Sequence, residues 1–74
     1  MAEIVVDPKK RFGKPIIKGT RITVDEVIGA LAGGMTFEEI EKEYGVTKDG
    51  ILAALKYASE MLSEERVFAM KAKQ

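Results

Sequence analysis

The chain has 74 residues, 46% of them hydrophobic, which is enough for one small domain. It contains no cysteine and no histidine, which excludes a disulfide and the ordinary ligand sets of zinc. Because so short a chain has little core, association with another copy is the remaining means of stabilisation, and we expect a homodimer. Its apolar runs fall far short of the ~20 residues that a membrane-spanning helix needs, and no cleavable signal pattern is recognised. We therefore expect a soluble, cytoplasmic protein without membrane contact.

The net charge of zero hides an uneven distribution along the chain. Residues 1–21 contain six cations and two acids, whereas residues 22–66 contain ten acids and four cations. A basic segment joined to an acidic body indicates an anionic partner or self-association. The alternative is a solvated surface whose charges are segregated without functional meaning.

Residues 1–22 predict a short β-arm. The apolar, β-branched run EIVV at 3–6 predicts a strand that ends at the turn pair Asp7-Pro8. A second strand is expected across Ile16 and Ile17 and on to Ile22, with Pro15 at its start or at a sheet edge, because proline lacks an N–H. Gly13 and Gly19 are expected where the backbone needs a positive φ or approaches another segment closely.

Three helices are predicted in residues 23–62, each starting at a threonine. Thr23 with Glu26 and Thr36 with Glu39 form capping boxes, and Thr47 caps the third helix. Gly33-Gly34 and Gly45 are expected to end the first two helices. Apolar residues then recur with the helical period: Val24, Val27, Ile28 and Leu31, then Phe37, Ile40 and Tyr44, then Ile51, Leu52, Leu55, Ala58 and Leu62. The tail, residues 63–74, either extends the third helix or restarts at Ser63.

The second and third helices have the spacing of a helix-turn-helix. With Gly45 as the turn glycine, apolar residues occupy the packing positions of that motif, namely Ile40, Tyr44, Val46, Ile51 and Ala54. Glu41 is the misfit, because a small residue normally stands there. The predicted fold is therefore mainly α, a three-helix homeodomain-like helix-turn-helix bundle with a short N-terminal β-arm.

The third helix has few residues that read bases. Its outward positions are Lys48, Asp49, Leu52 and Lys56, without the Arg, Asn or Gln that usually contact base edges. Most DNA contacts would then be phosphate contacts from the arm. The candidate DNA-binding residues are Lys9, Lys10, Arg11, Lys14, Lys18, Arg21, Lys48 and Lys56.

Arg21 has two possible roles. It either binds a phosphate or pairs with acids of the helical body and holds the arm in place, and the excess of acids there favours the second. A separate candidate surface for a protein partner lies in the tail at Arg66, Val67, Phe68 and Met70. The alternative is that these residues fold back onto the core of their own chain.

The sequence does not predict catalysis. A phosphate-binding loop needs G-x-x-x-x-G-K-[ST], but here Lys18 precedes Gly19 instead of following it. Without His or Cys, a nucleophile would need a lysine or carboxylate base. The glutamates within 38–43 form a charged helix face, and nothing indicates a carboxylate cage for magnesium. We expect no enzyme activity, no cofactor and no metal.

Three motifs resemble a known family. They are GKPIIKGTRITV at 13–24, GGMTFEEI at 33–40 and ILAALKYA at 51–58. Together they resemble a small prokaryotic family catalogued as domain of unknown function 433 (DUF433), a VapB-like antitoxin family. The matching positions are Gly13, Pro15, Ile17, Gly19, Thr20, Arg21, Ile22, Val24, Tyr57 and Ala58.

The resemblance implies a function as well as a fold. It implies a β-arm on a self-associating, homeodomain-like bundle that is the antitoxin half of a toxin-antitoxin pair. Such a protein binds a PIN-like nuclease toxin and, as a dimer, its operator DNA. Two alternatives remain open, a stand-alone helix-turn-helix regulator and a dimerisation module that binds no nucleic acid.

Overall fold

The fold is mainly helical, with a small sheet at the N-terminus, as predicted. The computed structural model describes the backbone of residues 2–72 and the side chains of residues 2–63. Two strands, β1 (Ile4–Val6) and β2 (Pro15–Ile17), precede three helices: α1 (Val24–Ala32), α2 (Phe37–Tyr44) and α3 (Lys48–Ala72). Among the described residues, none of these helices combines the length and the apolar character that spanning a membrane requires.

The two strands pair antiparallel, with Ile4 opposite Ile17 and Val6 opposite Pro15. Pro15 begins β2, as predicted. The predicted continuation of this strand to Ile22 is wrong, because residues 18–21 make a tight turn around Gly19, which has a φ of +84°. After the turn the chain returns alongside β2, where Thr23 forms a single bridge to Ile16.

The hydroxyl of Thr20 holds this turn together. It donates to the carbonyl of Ile17 (2.8 Å) and accepts from the N–H of Ile22 (3.0 Å). Thr20→Val keeps the shape but removes both hydrogen bonds, and we expect it to lower the free energy of unfolding by about 1 kcal/mol. Urea denaturation measures this loss. Thr20→Ser keeps the hydroxyl and serves as the control, so an equal loss in both variants would contradict the hydrogen-bond explanation.

The predicted helix starts are confirmed. At α1, the N–H of Glu26 donates to Thr23 Oγ1 (3.0 Å) and the N–H of Thr23 donates to Glu26 Oε1 (3.1 Å). The same reciprocal pair joins Thr36 and Glu39 at α2. At α3, the hydroxyl of Thr47 accepts from a backbone N–H of the first turn. These caps satisfy N–H groups that have no partner within the helix.

The predicted ends of α1 and α2 are also confirmed. Gly33 caps α1, and Gly34 follows it with a φ of +97°. Gly45 caps α2 in the left-handed conformation, where glycine avoids the steric cost of a Cβ. The third helix does not restart at Ser63, since α3 runs through to Ala72 as one helix of 25 residues and ~37 Å.

The core lies where the inner faces of the helices meet β2. Its buried members are Ile16, Ile17, Val24, Val27, Ile40, Val46, Ile51 and Ala54. Two residues of the apolar pattern predicted for α3 lie outside the core, because Leu52 and Leu62 are 47% and 63% exposed. Leu52 lies away from the side of α3 that carries Ile51 and Ala54, which agrees with its prediction as an outward position, and Leu62 lines an open space beside α1. The apolar packing predicted around the α2–α3 turn is present, while the homeodomain-like assignment stays a prediction.

Candidate partner-binding and nucleic-acid interfaces

An arginine ties the β-arm to the helical body. Arg11 Nη1 donates to the carboxylate of Glu26 and to the carbonyl oxygen of Arg21 (2.8 Å). The same oxygen of Glu26 also accepts from the N–H and the hydroxyl of Thr23 (3.1 Å each). Glu26 thus caps α1 and anchors the loop between the two strands.

This contact bears on the two roles considered for Arg21. The sequence favours a pairing of Arg21 with an acid of the body, but among residues 2–63 no carboxylate lies within 4.0 Å of its guanidinium. The ion pair is made by Arg11, whose loop brings its side chain back across the start of α1. Only the carbonyl of Arg21 takes part, so its side chain stays exposed.

The capping hydrogen bonds lower two carboxyl pKa values. The backbone N–H of Thr23 is the largest cause of the lowered pKa of Glu26, with further lowering by the Thr23 hydroxyl and Arg11, against a partial rise from burial. The N–H and hydroxyl of Thr36 likewise lower the pKa of Glu39. A lowered pKa means that the folded state favours the ionised carboxylate.

This preference makes part of the stability dependent on pH. A carboxyl whose folded pKa is lowered stabilises the fold above its unfolded pKa, and the effect is lost as pH falls through the folded value. Glu26→Gln should therefore lower the urea midpoint at pH 6, while the difference from the wild type shrinks as the pH falls below about 4. A difference that stays constant down to pH 3 would show that the charge of Glu26 contributes nothing.

The remaining predicted DNA contacts of the arm fall into two groups. Lys14 lies 3.8 Å from Asp25, and Lys18 lies 3.4 Å from Glu3, both as exposed pairs that water screens strongly. Lys9 and Lys10 are exposed, and no carboxylate of residues 2–63 lies within 4.0 Å of their ammonium groups. Among the described residues, Lys9 and Lys10 of this loop and Arg21 of the turn after β2 are therefore the exposed cations of the arm that have no carboxylate partner.

The structure separates the α3 lysines from this loop. Lys48 is exposed at the first position of α3. Lys56 lines a small recess with Ala2, Ile4 and Tyr57, beside the start of β1. The arm loop leaves the sheet at its other end, after Val6. The eight predicted residues thus do not form one continuous patch.

An apolar groove lies between α1 and the middle of α3. It has a volume of about 470 Å³ and is lined by Pro15, Val24, Asp25, Ile28, Gly29, Tyr57, Ala58, Met61 and Leu62. A neighbouring recess of about 400 Å³ shares Ile28, Ala58 and Leu62 with it and continues to Ser63. We call these two connected spaces the α1–α3 groove.

Gly29 is unusual within this groove. It lies inside α1, where glycine costs about 1 kcal/mol relative to alanine. A Cβ built on Gly29 would meet no atom from the other described parts of the chain within 4 Å, so the packing of the described residues does not require glycine. A glycine at such a place allows another backbone to approach closely.

The four predicted partner-binding residues, Arg66, Val67, Phe68 and Met70, have side chains outside the described residues. Their backbone belongs to α3, the same helix that forms one wall of the α1–α3 groove. Sequence reasoning did not find Gly29, nor Phe12, which is 98% exposed. Within the described part of the chain, no group of three or more acidic side chains is placed to hold a metal ion.

Comparison with known proteins places this geometry in a family. The family described as "Protein of unknown function (DUF433)" matches residues 4–58. A protein of Mycobacterium tuberculosis (strain ATCC 25618 / H37Rv) named "Putative antitoxin VapB45" is 39% identical over 54 residues, which are 73% of this chain and 23% of that protein. The crystal structure of Rv2018 from Mycobacterium tuberculosis is similar at 38% identity with a TM-score of 0.64, covering 70% of this chain and 24% of that one.

This chain therefore spans about a quarter of the length of the relatives that it matches. The match to the family covers most of the chain, from the first strand to the middle of α3. It includes the arm motif predicted from the sequence, all of α1, and α3 as far as Ala58, but not Met61 and Leu62 of the α1–α3 groove. The chain belongs to the DUF433 family.

Proposed function

We propose that this chain is an antitoxin-like binding protein, not an enzyme, and that it holds a PIN-like nuclease toxin in the α1–α3 groove. The observation that carries the proposal is the open apolar groove with Gly29 in its wall. The name of the relative VapB45 supports an antitoxin-like role. The absence of His and Cys from the sequence supports a binding role over catalysis.

The groove suits an apolar segment of a partner because it continues the core. Along α3, Ile51 and Ala54 are buried, Ala58 is partly buried, and Met61 and Leu62 are exposed. These positions recur at intervals of three or four residues, so they lie on neighbouring parts of the helix surface. A helix of the toxin, laid along α1 and α3 with its apolar face inward, would cover this exposed part.

The tail extends the proposed contact. Beyond Leu62, the same helix carries Arg66, Val67, Phe68 and Met70, which would add apolar and basic contacts to the toxin. PIN-like nucleases hold metal ions with clustered acids, so Arg66, Lys71 or Lys73 is suited to blocking such a site. The antitoxin would then act by occupying the nuclease, without chemistry of its own.

Co-expression tests the proposal directly. The full chain, expressed with the nuclease encoded beside its gene, is expected to restore growth and to co-purify with the nuclease. If it does neither, toxin binding is excluded. If it fails in both tests but binds DNA, the stand-alone regulator replaces the antitoxin as the function.

A homodimer is the second part of the proposal, and an exposed leucine on α3 supports it. Leu52 is 47% exposed, has no role in the core and lines neither space of the α1–α3 groove, so it remains available to a second copy of the chain. The dimer would present two copies of the arm to operator DNA. Light scattering is expected to give twice the chain mass at micromolar concentration, and Leu52→Lys is expected to give monomers. A wild-type monomer would exclude the dimer.

A further inference from the structure

We propose that Phe12 stacks on an accessible nucleobase while Lys9 and Lys10 contact the flanking phosphates. The arm loop, and not α3, would then make the principal nucleic-acid contact. This inference rests on the nucleic-acid part of the proposed function and deepens it. Its starting observation is that Phe12 is 98% exposed, although phenylalanine is among the residues most often buried.

The loop backbone holds Phe12 in this position. Arg11, Phe12 and Gly13 have successive φ values of 49°, 59° and 76°, a left-handed path that residues other than glycine rarely adopt. Hydrogen bonds from Gly13 N–H to the Lys10 carbonyl (3.1 Å) and from Lys14 N–H to the Arg11 carbonyl (3.2 Å) close this turn. Strained backbone of this kind is concentrated at functional sites.

The ion pair of Arg11 determines the directions of the Arg11 and Phe12 side chains. Arg11 is directed inward to Glu26 and to the carbonyl of Arg21, and the next residue is directed into solvent. The body therefore supports the loop through Arg11, while Phe12 contributes almost no burial to the fold. Such a side chain is available to a partner without any rearrangement of the domain.

The charge around Phe12 favours a nucleic acid over an apolar pocket of a protein. Lys9 and Lys10 of the arm loop are exposed cations, as is Arg21, whose carbonyl accepts a hydrogen bond from Arg11, and no carboxylate of residues 2–63 lies within 4.0 Å of them. An aromatic face for stacking beside cations for phosphates is the combination that binds unpaired bases. An apolar pocket would take Phe12 alone and would leave these cations without partners.

Two kinds of nucleic acid present this chemistry. A single strand offers bases that are already accessible, whereas a duplex offers them only where an inserted side chain opens a base step. In both nucleic acids the face of a base stacks on the phenyl ring, and the two lysines contact the phosphates on either side of that base. The experiment therefore uses both forms of one sequence.

The test measures binding of a short fluorescein-labelled DNA strand of mixed sequence, alone and as a duplex with its complement, each containing 2-aminopurine. The variants are Phe12→Ala, Phe12→Leu, Phe12→Trp and the double variant Lys9→Ala/Lys10→Ala. Because stacking needs a planar ring, Phe12→Ala and Phe12→Leu should weaken binding about 5- to 150-fold, while Phe12→Trp should retain it. All three should unfold at the wild-type temperature, since Phe12 is almost fully exposed.

The salt dependence of binding distinguishes the contribution of the Phe12 ring from that of Lys9 and Lys10. The slope of log K against log salt should be unchanged in Phe12→Ala, but smaller by about 1.4 for the strand or 1.8 for the duplex when Lys9 and Lys10 are removed. The 2-aminopurine signal should change on binding of the wild type and not of Phe12→Ala. A response with the strand identifies an unpaired base as the target, and a response with the duplex identifies an opened base step.

Three results would overturn the inference: wild-type affinity in Phe12→Ala, wild-type affinity in Phe12→Leu, or no binding of the wild type to either DNA. If Phe12→Ala no longer co-purifies with the nuclease but binds DNA as the wild type does, the inference is also overturned, and Phe12 is a contact to a protein. The antitoxin proposal is tested separately, because Phe12→Ala should still co-purify with the nuclease. If the wild type fails to rescue growth while Phe12→Ala and Phe12→Leu still weaken DNA binding, only toxin binding is excluded.

Discussion

Gly29→Leu is expected to abolish co-purification with the nuclease while leaving the free chain folded and more stable. Leucine is favoured over glycine inside a helix by somewhat less than the roughly 0.8–1.0 kcal/mol that separates alanine from glycine, and the position where the Cβ would stand is open. The leucine side chain would project into the α1–α3 groove and occupy the space that the proposed partner needs. Stability and binding should therefore change in opposite directions, which a general loss of folding cannot produce.

The magnitude follows from overpacking. Inserting methylene groups into a well-packed contact typically costs 1–3 kcal/mol, and a whole leucine side chain inserts several. We expect the affinity for the nuclease to fall at least about 10-fold, which corresponds to a loss of about 1.4 kcal/mol. Thermal unfolding of the free chain and titration calorimetry with the purified nuclease measure the two effects.

Gly50→Ala is the matched control. Gly50 also lies in a helix, but it is buried beside β2, away from the groove. An added Cβ would meet the Ile17 side chain and the Thr47 hydroxyl at 3.5 Å, an ordinary contact distance. This variant should gain about 0.5–1 kcal/mol of stability with unchanged affinity. If Gly29→Leu binds the nuclease as well as Gly50→Ala does, the toxin contacts a different surface.

The elements that the sequence predicted well depend on residues close together in the chain. Thr23 and Glu26 lie within one helical turn, so their capping box forms wherever the helix forms. The same holds for Gly45, whose left-handed conformation ends α2 without help from distant residues. The turn at 18–21 was missed because Ile16, Ile17 and Ile22 all suit a strand, whereas the hydroxyl of Thr20 decides where the strand stops.

The candidate sites were harder to predict because they depend on contacts between distant residues. Nothing near Arg11 in the sequence shows that a left-handed loop directs it to Glu26, and so Arg21 was chosen for that role. The exposure of Phe12 follows from the same loop. The α1–α3 groove needs the relative placement of two helices, and Gly29 becomes informative only when the space beside it is seen to be open.

Glu26→Ala is expected to produce the largest loss of stability among the polar substitutions. The variant removes the acceptor of the Thr23 N–H and the carboxylate that holds Arg11. We expect a loss of about 2 kcal/mol in the free energy of unfolding. In a domain of this size each kcal/mol shifts the unfolding temperature by roughly 4–8 °C, so the unfolding temperature should fall by roughly 8–16 °C. Thermal unfolding followed by circular dichroism measures the change.

The structure provides a matched control for this variant at the start of α2. Glu39 makes the same capping box with Thr36, but its carboxylate contacts no arginine among the described residues. Glu39→Ala therefore removes a cap alone and should cause a smaller loss of stability. The difference between the losses in the two variants measures what the ion pair with Arg11 adds at Glu26. Equal losses in the two variants would show that the ion pair does not hold the arm.

A double-mutant cycle of Arg11→Ala and Glu26→Ala then measures the coupling itself. The pair is about one-third exposed, so we expect a coupling of about 0.5–1 kcal/mol that decreases with added salt. Because Arg11 also fixes the left-handed loop, Arg11→Ala should weaken DNA binding more than the loss of one phosphate contact predicts. Its salt slope should stay near that of the wild type, since Arg11 is directed to Glu26 and not to a phosphate. A slope reduced by about 0.9 would instead make Arg11 a direct DNA contact.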